Sequence, residues 1–185
     1  MYDPAYEALF TSMHPGFFDR DYIKNKETDE IYEEMLLPLK DYDPASAQIP
    51  VPAEATFGFY LGDWQQLLDA VRQVDAGWVP IYEKGGRVYC GFVNGQIASF
   101  CLAEEMGRHM LNGTAYRFAG PGCVGTLPAF RRQGIGLKMV ADVTALLQAE
   151  GFDYSYIHYT GVGPWYAKLG YRTCLQWNRK GPVRG

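Results

Sequence analysis

The chain has 185 residues, 48% of them hydrophobic and 21% charged, with a formal net charge of −4. That length supports one good core but not two comfortable domains, and the composition excludes a largely disordered chain. An acidic balance without a basic run argues against nucleic-acid binding, and no apolar stretch reaches the roughly 18 residues of a membrane span.

The N-terminus "MYDPAYEALF" lacks the basic start and apolar core of a secretory signal, so a cytoplasmic location is expected. Cys90, Cys101, Cys123 and Cys174 show no C-x-x-C spacing and read as reduced thiols. His14, His109 and His158 lie far from any paired cysteines, and no metal is expected.

In chain order, Asp3-Pro4 reads as a helix start, with Tyr6, Leu9, Phe10 and Met13 at helical spacing and "HPG" as its end. A second helix is expected from about Thr28 to Leu37, closed by Pro38. "DYDPASAQIPVPAE" carries Pro44, Pro50 and Pro52 without periodicity and reads as a surface linker. The chain thus divides into an N-terminal helical extension with its Pro-rich linker, residues 1–53, and a main domain, residues 54–185. Acids outnumber bases in residues 1–63, and bases outnumber acids in the remainder. An acidic extension can neutralise a basic half or attract a cationic ligand.

After the linker, "ATFGFYLG" reads as a strand, and Asp63 caps a helix with Trp64, Leu67, Leu68, Val71 and Val74 on one face. "RVYCGFVNGQIASFCLAEE" reads as a hairpin turning at Asn94-Gly95. "TAYRFAGPGCVGT" is a strand whose Gly120, Pro121 and Gly122 predict a bulge or splay. A helix follows over Gly136 to Glu150, then the strand "YSYIHYT", a short helix from Pro164, and a last strand "YRTCLQW". This order predicts a mixed α/β sheet flanked by helices.

No P-loop is present, and Gly120, Gly122 and Gly125 match G-x-G-x-x-G by letter only, since the chain then extends through Thr126, Leu127 and Pro128. The run Arg131-Arg132-Gln133-Gly134-Ile135-Gly136 has the better context. It follows a strand and opens a helix, whose first N–H groups are unpaired and sit at the positive end of the dipole. Glycines let a ligand approach the backbone, and the arginines add charge, which makes an anion site.

"VGTLPAFRRQGIG" resembles the strand-to-helix signature of the GNAT superfamily of acyl-CoA-dependent N-acetyltransferases at Arg131, Gly134 and Gly136, and "PWYAKLGYR" resembles its second signature at Tyr166, Gly170 and Tyr171. The resemblance implies the acyl-CoA N-acyltransferase fold, a mostly antiparallel sheet with a splayed strand pair, over about residue 55 to the end. It implies that acetyl-CoA is the acyl donor, its pyrophosphate held by backbone N–H groups of the Arg131, Arg132, Gln133, Gly134, Ile135 and Gly136 loop and its pantetheine arm by Thr126 and Leu127. Tyr166 matches the position of the general acid that protonates the departing thiolate.

Acyl transfer also needs a neutral amine. "TAYRFAGPGCVGT" offers no acid, so Glu104, with Glu105 beside it at the hairpin's end, is the candidate base; both read equally well as solvated surface residues. His158, alone among apolar strand neighbours, reads as structural. The acceptor is expected to be a small-molecule or peptide amine, and a catalytically silent coenzyme-binding regulator is the alternative. The first 50 residues lie outside the resemblance, and two roles stay open for them: a lid over the acceptor cleft, or the contact of a homodimer.

Overall fold

The computed structural model describes residues 2–184. Helix α1 (Pro4–Met13) begins as its sequence predicts, with the Asp3 side chain accepting from the Ala5 N–H and proline in the first turn. A short 3₁₀ turn and the brief helix α2 (Asp21–Lys24) follow.

The expected helix over Thr28 to Leu37 is not formed; Tyr32–Pro38 is strand β1. Met35, Leu36 and Leu37 are consecutive apolar residues, and all three are buried because β1 is covered on both faces. Such a run fits a doubly buried strand, where one apolar stripe would suit a surface helix.

The linker carries two 3₁₀ turns, Leu39–Asp41 and Pro44–Ser46. The rest of the chain forms β2 (Ala55–Phe59), α3 (Trp64–Val74), α4 (Val79–Tyr82), β3 (Val88–Val93), β4 (Gln96–Leu111), β5 (Thr114–Thr126), α5 (Ile135–Ala149), β6 (Tyr154–Thr160), α6 (Gly163–Ala167), β7 (Arg172–Asn178) and the two-residue β8 (Gly181–Pro182). Asp63 caps α3 as expected. Asn94 and Gly95 both take positive φ at the β3–β4 turn, and Asn112 and Gly113 repeat the device at the tip of a longer β4–β5 hairpin.

All eight strands join one sheet in the order β2-β3-β4-β5-β6-β1-β7-β8. Neighbours are antiparallel except β5 and β6. Strand β1, from the N-terminal segment, lies between β6 and β7, so residues 32–38 complete the interior of the sheet.

Helix α5 covers one face, packing Met139, Val140, Val143 and Leu147 with Cys101, Ala103, Ala119 and Ile157. The other face carries three clusters, one of them Phe10, Phe17 and Ile23 packed on Leu175 and Trp177 of β7. Helices α3 and α4 place Leu67, Val71 and Tyr82 over Phe100 and Leu102, while α1 places Leu9 over Leu36, Phe118 and Tyr156. The sheet between these last two clusters is where β5 and β6 part.

Those two strands pair only at Phe118 with Tyr154 and Ala119 with Ser155. Gly120 is the last close approach, since a Cβ there would overlap the Tyr156 carbonyl oxygen. Beyond it each strand bends through a non-glycine residue of positive φ, Cys123 at 45° and Tyr159 at 56°.

Candidate active site

At the end of β5, Leu127 donates its N–H to the Ala98 carbonyl (2.9 Å), and the 3₁₀ turn Pro128–Phe130 carries the chain out of the sheet. Arg132 (φ 61°) and Gly134 (φ 78°) then turn it back, and α5 starts at Ile135 with no side-chain cap. Its first-turn N–H groups therefore lack the partner that a capping serine or aspartate would supply.

The side chains of this loop divide in function. Arg131 Nε donates to the Thr126 carbonyl (3.1 Å) and Gln133 Nε2 to the Ala129 carbonyl (3.2 Å), which fixes the loop's shape. Ile135 is buried in the core, so only its backbone faces the loop. Gly136 packs against Thr126 Oγ1, where a Cβ would collide, and Gly134 lies under the Pro50 carbonyl of the linker. Beyond Ala119 the β5 edge that faces β6 has no ladder partner among the described residues, so an extended ligand can pair with it.

Tyr166 sits on α6, on the α5 face of the sheet, with 6% of its surface exposed. Trp165 packs edge-on to it at 4.8 Å and Tyr171 at 6.0 Å. Burial, reinforced by Tyr171, pushes its phenol above the ordinary tyrosine value, so it holds its proton at neutral pH. Tyr171 is occupied structurally, its hydroxyl bonding Thr144 (2.9 Å) and Ser155 (2.7 Å).

Glu104 lies on the opposite face. It alternates with Phe100 and Leu102 along β4, and its carboxylate rests on Gly122, where a side chain would displace it. Although its surface is exposed at the mouth of the recess, the surrounding protein desolvates it and raises its carboxyl above the usual range, with His158 pulling the other way. Thr126, the Arg131–Gly136 loop and, through Trp165 against Gly136, the start of α6 are thus in contact, with Tyr166 on the α5 face of the sheet and Glu104 on the other.

The pairing of two further residues escapes sequence reasoning. His158, read as structural, bonds through Nδ1 to Glu34 Oε2 (2.9 Å), and Glu34 is fully buried. Glu34 Oε1 also accepts the Trp177 indole N–H (2.7 Å) and the Tyr159 backbone N–H (3.1 Å). Strand β1 shifts register against both neighbours around this residue, a bulge of the kind that re-aims a side chain. The only trace in the sequence is an acid in "YEEMLLP" next to an apolar run.

His14, just past α1, stacks on His158 with ring centroids 3.8 Å apart and planes 19° apart. The ligating atoms of His14, Glu34 and His158 lie within 4.8 Å of one another, the one such grouping among the described residues. Imidazole–metal bonds lie in the ring planes, and two nearly parallel rings 3.8 Å apart do not direct their lone pairs at a common point. His158 and Glu34 are hydrogen-bonded, and His14 stacks on His158 with its own Nε2 buried and unpartnered among the described residues.

Two surface cavities are also present. One of about 590 Å³ is lined by Tyr6, Asp41, Lys168 and Arg172, and one of about 770 Å³ borders Leu127–Phe130 together with Tyr60 and Phe92. Neither contains Glu104, His158 or Tyr166. No helix among the described residues is long and apolar enough to cross a membrane.

No family model matches the sequence, and no curated protein matches it. Solved structures do. The chain is similar to a GCN5-related glucosamine N-acetyltransferase region of a fungal multi-domain GH3 β-N-acetylglucosaminidase, at 20% identity and a TM-score of 0.67 over 81% of this chain and 20% of that one. It is similar to GCN5-related N-acetyltransferases from Sphaerobacter thermophilus (17% identity, TM-score 0.56, 80% of this chain and 50% of that one) and Kribbella flavida (18%, 0.53, 84% and 59%). The chain therefore spans between about a fifth and three fifths of those proteins' lengths. With its parallel β5–β6 pair opening beside the uncapped start of α5, the chain has the fold of the GCN5-related N-acetyltransferases.

Proposed function

We propose that this chain is an N-acetyltransferase, moving an acetyl group from acetyl-CoA to a primary amine by direct attack in a ternary complex. What supports this reading is an uncapped helix start after a strand whose edge is unpaired beyond Ala119, together with a buried tyrosine on α6 whose burial favours the protonated phenol. Backbone N–H groups at Arg132–Gly136 suit a pyrophosphate, and the β5 edge at Thr126 and Leu127 suits the amide-bearing pantetheine arm. That edge directs the thioester toward Gly120–Gly122, between Tyr166 and Glu104.

Each face then has one task. Tyr166 keeps its proton for the departing thiolate, and the acidic opposite face attracts an amine that arrives as a cation. Since one similar structure is described as a glucosamine N-acetyltransferase region, glucosamine is a natural first acceptor to try, beside spermidine, an aminoglycoside and amino acids.

Calorimetric titration with acetyl-CoA, followed by a thiol-release assay over that panel, tests the reading. Binding with amine-dependent thiol release, reduced about 10- to 100-fold in Tyr166→Phe at unchanged acetyl-CoA affinity, is expected for an acid catalyst. Binding without release from any amine would instead support a coenzyme-binding regulator.

A further inference from the structure

Resting on the acetyltransferase reading, we infer that His158, oriented by the buried Glu34, is the base that deprotonates the acceptor amine. The dyad is built from both ends of the chain: Glu34 comes from β1, His158 from the parting strand β6, and the Trp177 indole that holds Glu34 from β7.

The hydrogen bonds decide the tautomer. Glu34 is an acceptor facing three donors, and its bond to His158 makes Nδ1 the protonated nitrogen. The lone pair then lies on Nε2, for which no hydrogen-bond partner is found among the described residues. Only the histidine links the buried carboxylate to the outside, since the His158 side chain is 26% exposed and that of Glu34 0%.

The ring is held on both sides. His14 stacks on it, and Phe17 meets it edge-on with centroids 5.2 Å apart. Tyr156 alternates with His158 along β6 and packs under α1, which puts His158 on the sheet face that carries Glu104. The ionisable groups facing the ring are Glu34 from β1, His14 from the end of α1, Glu104 from β4 and the neighbouring Tyr156 and Tyr159, with Arg20 beyond His14. Burial holds His14 neutral, with a pKa of about 3, so the stack adds no second cation when His158 gains a proton.

The step balances. The acceptor ammonium gives one proton to Nε2 of His158, and the freed lone pair on nitrogen forms the C–N bond at the thioester carbonyl. The C–S bond breaks, its electron pair stays on sulfur, and sulfur takes the Tyr166 proton. The second proton shed by nitrogen restores Tyr166, and His158 releases the first to solvent. Glu34 is a positioning residue that also stabilises the imidazolium, as a buried carboxylate does for histidine in other acyl-transfer sites.

The test compares wild type with His158→Gln, whose amide can still donate to Glu34, and with Glu34→Gln and Glu104→Gln. Melting curves and acetyl-CoA calorimetry confine the comparison to folded, coenzyme-binding variants. Using the panel amine that wild type acetylates best, His158→Gln is expected to lose about 100-fold in kcat with little change in acetyl-CoA affinity. The deficit should shrink as pH rises toward the pKa of the amine, where free base no longer needs a catalyst, and Glu34→Gln should show a smaller loss of the same pH form. In wild type, ¹⁵N NMR should find Nδ1 protonated and Nε2 bare in the neutral imidazole.

A folded His158→Gln protein that turns over within about threefold of wild type at every pH would overturn the inference while leaving the acetyltransferase reading intact. So would transfer of the pH-dependent loss to Glu104→Gln alone, or an Nε2-protonated neutral ring. No thiol release by wild type with any amine would remove the reading itself.

Discussion

A φ of 78° at Gly134 is what lets the chain turn from the 3₁₀ segment into α5, and its Cα sits under the Pro50 carbonyl, so this position is fixed twice. Gly134→Ala should cost about 1–2 kcal/mol from the left-handed backbone alone. Because the turn shapes the anion site, a tenfold or greater loss of acetyl-CoA affinity by calorimetry should accompany it, on the order of 1.4 kcal/mol. His14 offers a residue-scale test of another kind. Burial, then His158, lowers its pKa from 6.5 to about 3, so the folded chain binds fewer protons than the unfolded chain between those values. Its contribution is present in full above pH 6.5 and is lost as pH falls toward 3. The melting temperature of wild type should therefore decline already from pH 6.5 to 5, above the range in which Glu7, Asp29 and Glu150, whose pKa values are lowered by their partners, take up protons. His14→Phe keeps the stacking ring without the titration and should flatten that decline; an equal slope in both proteins would show that another group causes it.

Among the elements, β1 is the one that the sequence pattern assigned to the wrong type, a helix instead of a strand. "YEEMLLP" lacks alternation because both faces of the strand are covered, and its acid at Glu34 breaks a strand pattern that a reader expects to be apolar. By contrast α1, α3 and the β3–β4 hairpin were legible, since their caps, periodicity and the Asn94-Gly95 turn are local signals. Met35 packs against the α5 cluster at 1% exposure. Met35→Ala should accordingly cost about 2–5 kcal/mol in urea unfolding, the range for truncating a fully buried side chain. A surface helix in its place would lose far less from the same change. The linker is likewise tied down: Gln148 of α5 donates to the Leu39 and Tyr42 carbonyls at 2.6 and 2.7 Å, and Tyr42 donates to the Ala141 carbonyl at 3.2 Å.

For the molecule as a whole, the N-terminal segment closes the sheet on which the site depends. The uneven charge resolves partly within the chain, because Asp29 pairs with Arg179 and Lys180, and Glu7 with Arg184. Such exposed pairs are screened by solvent and contribute little each. The central position of β1 matters more, since removing it would strip hydrogen-bond partners from both β6 and β7. A chain starting at residue 39 is therefore expected to lack a cooperative melting transition and to bind no acetyl-CoA. A cooperative melt near that of the full chain would show that β6 and β7 can pair without β1.

Local chemistry was enough to determine the capped helices and the turns, because each depends on residues a few positions apart whose backbone preferences act directly, whereas Tyr166 was singled out by the family resemblance of "PWYAKLGYR" and not by local chemistry. What only the tertiary structure decided is the company those residues keep. Glu34 and His158 lie 124 positions apart and meet because β1 inserts between β6 and β7, a long-range pairing that no local periodicity encodes. The same insertion converts a run of apolar letters into a strand and a surface-looking acid into a buried hydrogen-bond acceptor, since burial and partner supply are properties of the assembled sheet.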